Sequence, residues 1–491
     1  MKYQPGYIRL ALPKGRCLSA TANLLSETAL DLDGYSHKTR QYRLQSARFP
    51  YLSAKVFQEK DIPVQVAIGN YELGICGLDW IEELQVRYPA SALVTISSLN
   101  CGEGSIYLAA AYQAGTPGPD KLLAEPNNWR IVSEYPNLAQ ALALSLRLKR
   151  FRIFPVWGAA EVYPPESADL AILWARNENE IEAHGLVPLM KLLSVDAFLI
   201  ANRERLENEN LSQILDCLSP RLASRPSPNE GWSRDDFLSI QPPTLAQSKA
   251  GTLGKPVAAV SQWQEKGIKL ALPDGHQKTP TSQFLDQVGI YIEEYSGKTL
   301  NRRPSTNLDW LGVKVIRPQD MPLQVANGNF DLAITGKDWL LEHLYRFPLS
   351  PVEELVELGF GEVKIVAAVS RDMPAASTSE LKLLAQGDRF APLRVASEYV
   401  NIADKYLRDN HISPCKLVPT WGASEAFLPE DADLLIDNAQ TGKTLAEHNL
   451  EIIDVLLTST ACLIGNRDSL DSCDKRERIE FIVQTLERGL S

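Results

Sequence analysis

Short apolar runs alternate with stretches of helical period along this chain. Ile8-Arg9-Leu10-Ala11-Leu12 predicts a strand that stops at Pro13-Lys14-Gly15, and a helical pattern follows from about Leu18 to Glu27. Leu73-Gly74-Ile75-Cys76 predicts another strand, stopping at Gly77, with a helical pattern from Trp80 to Leu84. Strand, glycine turn, helix in succession is the signature of an α/β chain with a largely parallel sheet. Ligands on such sheets bind at the carboxyl ends of the strands, where these turns lie.

The pattern is written twice. The stretch from Asp61 to Trp80, which contains Gly69-Asn70-Tyr71-Glu72-Leu73-Gly74-Ile75-Cys76-Gly77-Leu78-Asp79-Trp80, returns from Asp320 to Trp339. Ile8 to Arg16 returns as Ile268 to His276, Arg130 to Asn137 as Arg394 to Asn401, and Trp157-Gly158-Ala159-Ala160-Glu161 as Trp421-Gly422-Ala423-Ser424-Glu425. Matched residues are 259 apart at Asp61 and Asp320 and 264 apart at Arg130 and Arg394, so the second copy carries about five extra residues, most simply in the loop before Arg394. A repeat this long is a domain duplication and not a solenoid, whose period is roughly 20 to 50 residues.

The expected organisation is a first copy over 1–218, a linker over 219–263 and a second copy over 264–491. In the linker Pro220, Pro226, Pro228, Pro242, Pro243 and Pro256 break any regular element. The 491 residues carry a formal net charge of −11 with 44% hydrophobic and 23% charged residues. Those proportions suit a globular protein and argue against nucleic acid as a partner. The N-terminal residues show no apolar core of a secretory signal, and no run approaches the roughly 18 apolar residues of a membrane helix. Seven cysteines are scattered without CxxC spacing, which fits reduced thiols in a cytoplasmic protein better than a disulfide framework or a zinc site.

Candidate chemistry differs between the copies. Leu434-Leu435-Ile436 predicts a strand with Asp437 at its end, and Thr441-Gly442-Lys443-Thr444 leads into a helical run. Free amides and a helix start there would face an anion, Gly442 would allow close approach, and Asp437 could accept from sugar hydroxyls. By itself the turn could equally be a plain helix start. The first copy has Asn177, Glu178 and Glu180 in place of Thr441, Gly442 and Thr444, and two carboxylates there would repel a phosphate. At the opening the contrast reverses: Lys14 and Arg16 bracket Gly15, whereas the second copy has Asp274 and His276 and so is expected to lose both fixed cations. Arg317 faces Gln58 at the matched position. Trp157 and Trp421 read as core residues, and Glu161 and Glu425 as cleft residues.

The opening Ile-Arg-Leu-Ala-Leu-Pro-Lys-Gly-Arg, the Asp61–Trp80 stretch, Arg130–Asn137 and the Asp437–Leu445 turn resemble the catalytic subunit of ATP phosphoribosyltransferase, in its short form, over nearly the whole chain outside the linker. The resemblance implies two tandem copies of a two-lobed fold similar to type II periplasmic binding proteins, with mixed and parallel sheets. Lobe one would take 1–100 and 186–218, then 264–358 and 450–491; lobe two would take 101–185, then 359–449. It implies transfer of a phosphoribosyl group from phosphoribosyl pyrophosphate to a ring nitrogen of ATP, with release of pyrophosphate and with Mg2+ carried by the substrates.

By the same resemblance, Asp437, Thr441, Gly442, Lys443 and Thr444 would grip the ribose 5-phosphate. Asp437 and Arg317 would be catalytic, and Lys14, Gly15, Arg16 and Glu425 would contact ATP or another anion. Neither copy matches every motif. The expectation is therefore an internal pseudo-dimer with one competent site in the second copy, assisted by basic groups of the first, and with a homo-oligomer and a separate regulatory subunit as further partners. The alternatives are a catalytically silent nucleotide-binding regulator and a solute-binding protein.

Overall fold

The computed structural model describes residues 6–28, 30–32, 34–37, 41–111, 128–206, 209–218, 267–297, 301–387, 392–440 and 442–490. The expected linker and Thr441 lie outside them. The chain divides into two compact units, Met1–Val156 with Tyr163–Val257, and Trp157–Val162 with Ala258–Ser491.

In the first copy the strands are β1 (Ile8–Lys14), β2 (Arg43–Gln45), β3 (Leu52–Gln58), β4 (Leu73–Gly77), β5 (Leu93–Ser98), β6 (Gly104–Ala111), β7 (Asn128–Ser133), β8 (Arg150–Pro155), β9 (Leu170–Ala175), β10 (Leu186–Val195) and β11 (Ala197–Asn202). They form two sheets, ordered β2-β3-β1-β4-β11-β5 and β10-β6-β9-β7-β8. The second copy has β12 (Ile268–Pro273), β13 (Leu311–Ile316), β14 (Leu332–Gly336), β15 (Val352–Glu357), β16 (Val363–Ser370), β17 (Leu393–Ser397), β18 (Cys415–Pro419), β19 (Leu434–Ala439), β20 (Leu450–Ser459) and β21 (Ala461–Asn466). Its sheets run β13-β12-β14-β21-β15 and β18-β17-β19-β16-β20. Apart from β2, which has no counterpart strand among the described residues of the second copy, the order is the same, so each copy is a two-lobed α/β body, the fold class expected from the sequence.

The parallel core of each first sheet follows from its apolar runs. β1 lies between β3 and β4, both parallel to it, and Ile8, Leu10 and Leu12 are fully buried in the core of the first lobe. β12 repeats this between β13 and β14. Helices cover the sheets because a parallel crossover needs a dozen or more residues to return. The second sheets hold their own cores, around Ile106, Leu108 and Ile131 in one copy and Ile365, Ala367 and Val395 in the other.

The lobe boundaries differ from the expectation. Leu186–Val195 and Leu450–Ser459 belong to lobe two and not to lobe one: β10 pairs antiparallel with β6, and β20 with β16, over eight register positions each. A ten-residue strand satisfies its backbone groups best along a full-length partner, so the chain re-enters lobe one only at β11 and β21. The offset between copies is still 259 at Ser105 and Lys364, which pair with Ala175 and Ala439. The extra residues of the second copy therefore fall between β16 and β17, a stretch that carries the helix Thr378–Ala385.

Candidate active site

Both copies join their lobes with the same set of contacts. The helix Leu78–Arg87 follows β4 in lobe one, and the helix Pro136–Ser145 follows β7 in lobe two. The second helix has no side-chain cap of its own. Glu83 supplies one from the other lobe, accepting from the amides of Asn137 and Leu138, both at 2.9 Å, and from Asn137 Nδ2 at 2.6 Å. A carboxylate at a helix start also faces the positive end of the helix dipole. In the second copy Glu342 accepts from the amides of Asn401 and Ile402, again at 2.9 Å. Beside these caps Tyr135 donates to Asp79 at 2.6 Å and Tyr399 to Asp338 at 2.7 Å, while Trp80 and Trp339 lie against the two tyrosine rings. Burial pushes the Glu83 carboxyl up to about 7 against the pull of its hydrogen bonds, and raises Glu342 likewise.

Above this joint, at the carboxyl end of β19, Asp437 is half-buried. Its Oδ1 accepts from the Asn438 amide at 2.7 Å and from Asn438 Nδ2 at 3.3 Å, and Asn438 Nδ2 also reaches the Tyr399 hydroxyl at 3.2 Å. Desolvation pushes the Asp437 carboxyl up to about 7, with the Glu425 and Asp338 carboxylates adding to the rise and Ser424 opposing it through a hydrogen bond. Glu425 sits half-buried on the short helix Ser424–Phe427, which brings it to the same strand end.

Gly442 then starts a helix of five residues, Lys443–Glu447, with a φ of +70° and no side-chain cap. An added Cβ would meet Ile452 at an ordinary 3.9 Å, so the left-handed backbone, and not lack of space, calls for glycine here. Lys443 and Thr444 are exposed in the first turn, and Lys443 lies 3.8 Å from Glu447. So short a helix has a small dipole, so the backbone amides of its first turn are its main offer to an anion.

The matched turn of the first copy is capped by its own side chains. Asn177 Oδ1 accepts from the Glu180 amide at 3.2 Å, and Glu180 reaches back to the Arg176 amide at 2.7 Å. The pattern is close to a capping box, with Glu180 reaching the amide one residue before the cap. Besides the repulsion expected of the glutamates, side-chain oxygens already occupy the amides of Arg176 and Glu180.

The two openings also differ from expectation. Lys14 donates to the Tyr42 hydroxyl at 3.1 Å, and Gly15 turns the chain with a φ of +98°. Arg16 does not face outward: its guanidinium binds Glu59 at 3.0 Å and Asp79 at 2.7 Å, and it lies 4.4 Å from the centre of the Trp174 ring. In the second copy Asp274 does replace Lys14, yet Arg302 approaches it at 2.8 Å and Arg317 at 3.5 Å. Two arginines and one aspartate leave a single positive charge, as Lys14 does in the first copy. The expected loss of the cationic opening is thereby corrected. Arg302 escaped the sequence reading because it lies outside the recognisable motifs, although it aligns with Tyr42 through the backbone bonds to Val56 and Val315.

All seven cysteines are free thiols, and His276 is exposed. Among the described residues no helix is long and apolar enough to cross a membrane.

Two lobes clasped by paired helices, with a glycine turn and an arginine-bearing opening at strand ends, define a two-lobed α/β protein. The family model for ATP phosphoribosyltransferase matches residues 58–222 and 317–488, more than half of the chain, and the chain belongs to that family. It is 36% identical over 231 residues to the ATP phosphoribosyltransferase of Saccharolobus solfataricus, covering 46% of this chain and 73% of that protein. It is 34% identical over 226 residues to that of Sulfolobus acidocaldarius, covering 45% and 73%. Among solved structures, the ATP phosphoribosyl transferase (HisG:HisZ) complex from Thermotoga maritima matches at 22% identity and a TM-score of 0.36, covering 45% of this chain and 98% of that one.

Proposed function

We propose that the protein is an ATP phosphoribosyltransferase of histidine biosynthesis and that its phosphoribosyl site lies in the second copy. The observation that carries the placement is the contrast between the two turns: Gly442 has no side-chain cap, whereas Asn177 and Glu180 cap theirs.

In this reading the amides after Gly442, with the hydroxyls of Thr441 and Thr444 and the charge of Lys443, hold the ribose 5-phosphate. Asp437 accepts from the ribose hydroxyls. Arg302 and Arg317 hold the pyrophosphate or triphosphate, and Mg2+ arrives on those oxygens. A bond forms between a ring nitrogen of adenine and the anomeric carbon as the bond from that carbon to pyrophosphate breaks, and pyrophosphate leaves with the electron pair. Such a reaction asks the protein chiefly to position two polyanions and to stabilise separating charge.

The test is the pair Thr441→Ala and Gly442→Asp in the full chain, assayed by pyrophosphate release from ATP and phosphoribosyl pyrophosphate and by rescue of a histidine auxotroph. Activity should be lost, while Asn177→Ala with Glu180→Ala in the first copy leaves it in place. Undiminished transfer by the first variant refutes the placement. A native chain with no activity points instead to a silent, ligand-binding relative.

A further inference from the structure

In the first copy one side chain packs on the core of lobe two and is reached from lobe one: Trp174, met by Arg16. Trp174 stands on β9 beside Leu173, which holds the position of Asp437, and it aligns with Asn438. On one side its indole lies over Gly104 of β6, so closely that a Cβ on Gly104 would fall 2.4 Å from the ring carbons. On the other side the Arg16 guanidinium, which belongs to lobe one, lies 4.4 Å from the ring centre, within cation–π range. Glu59 and Asp79 fix that guanidinium, and Asp79 is in turn held by Tyr135. The indole Nε1 is buried without a hydrogen-bond partner, a cost the stacking must offset.

The second copy keeps none of the four distinctive members. Arg16, Glu59, Gly104 and Trp174 correspond to His276, Pro318, Val363 and Asn438. The replacements fit one another: valine occupies the space that glycine leaves for the indole, and the side chain opposite becomes a short amide. A tryptophan in the second copy would strike Val363.

The geometry points to Trp174 as a built-in occupant of the first cleft, one that holds the two lobes of the first copy together through Arg16 and leaves the second cleft as the one that takes substrate. The substrate part rests on the functional reading above; the plug itself does not.

The test is a double-mutant cycle on the full chain, read by thermal melting without substrate. Gly104→Val should lower the midpoint by about 5 °C or more, since it drives a side chain into the indole. In a Trp174→Asn background the same change should cost less than half as much, because the pair then matches Val363 and Asn438. Equal cost in both backgrounds overturns the plug. As a second arm, Trp174→Ala should melt lower than the native chain and regain part of the loss in millimolar indole, which should leave the native chain unmoved. A variant that indole does not affect also overturns it. Calorimetric titration should find one phosphoribosyl pyrophosphate per native chain, and two would overturn the proposal. A silent titration counts against the transferase reading, and the melting arms then decide the plug by themselves.

Discussion

Tyr399 donates a 2.7 Å hydrogen bond to Oδ2 of Asp338 across the joint between the two lobes of the second copy. The same hydroxyl accepts from Asn438 Nδ2, so the joint is wired to the strand end that bears Asp437. Tyr399→Phe keeps the ring against Trp339 and removes only this link. Asp338 retains Ser459 at 2.7 Å, and the expected loss of stability is about 1–3 kcal/mol by denaturant melting, the cost of a buried acceptor deprived of a donor. KM for phosphoribosyl pyrophosphate should rise as well. Tyr135→Phe in the first copy should cost less stability, since Asp79 Oδ2 keeps Arg16 at 2.7 Å, with KM unchanged, and a rise in KM there would break the assignment.

Asp437 gives a pH signature. Its carboxyl is held up at about 7, so in the free protein it is largely protonated below that pH and accepts poorly from sugar hydroxyls. Affinity for phosphoribosyl pyrophosphate should therefore strengthen as pH rises through about 7, and Asp437→Asn should flatten the profile. Stability runs the other way. A carboxyl whose pKa is raised on folding contributes stability below the unfolded value of about 4, and that contribution fades as pH rises through about 7. Melting curves of the native chain and of Asp437→Asn should thus converge below about 4, separate as pH rises to about 7 and stay apart above it, with the variant the more stable.

At the opening of the second copy, Arg302→Gln leaves Arg317 to balance Asp274 and cancels the net positive charge. Binding of the polyphosphate substrate should weaken about tenfold or more, as expected for losing a charge-assisted contact of about 1.5–3 kcal/mol. The affinity of the variant should also depend less steeply on salt. Titrations at two ionic strengths check both, and unchanged affinity would remove Arg302 from the site.

The duplication, the strand and helix order and the family were legible because they rest on patterns that recur: apolar runs stopped by glycine, and long matched segments such as Asp61–Trp80. The contrast between the two turns was legible for the same reason, since Gly442 and Glu178 stand at one register and differ in kind. What failed was whatever depends on pairing across the sheets. Leu186–Val195 was assigned to the wrong lobe because an apolar strand does not announce its partner. Arg16 read as an anion grip because the sequence does not show Glu59, Asp79 and Trp174 converging on it. Arg302 was missed because its importance comes from Asp274, which follows β12 and is distant from it in the chain. The matching of Gly104 with Trp174 is visible only once β6 and β9 lie side by side.

Asn177 closes the first turn with an oxygen that is always present, covalently part of the chain. Gly442, having no side chain, offers no such oxygen to the second turn. A phosphate arriving there would act as a detachable cap, so ligand binding and the ordering of this helix start become one event. Amide exchange over residues 442–447 should then slow when phosphate is added, while exchange over 178–183 remains as it was.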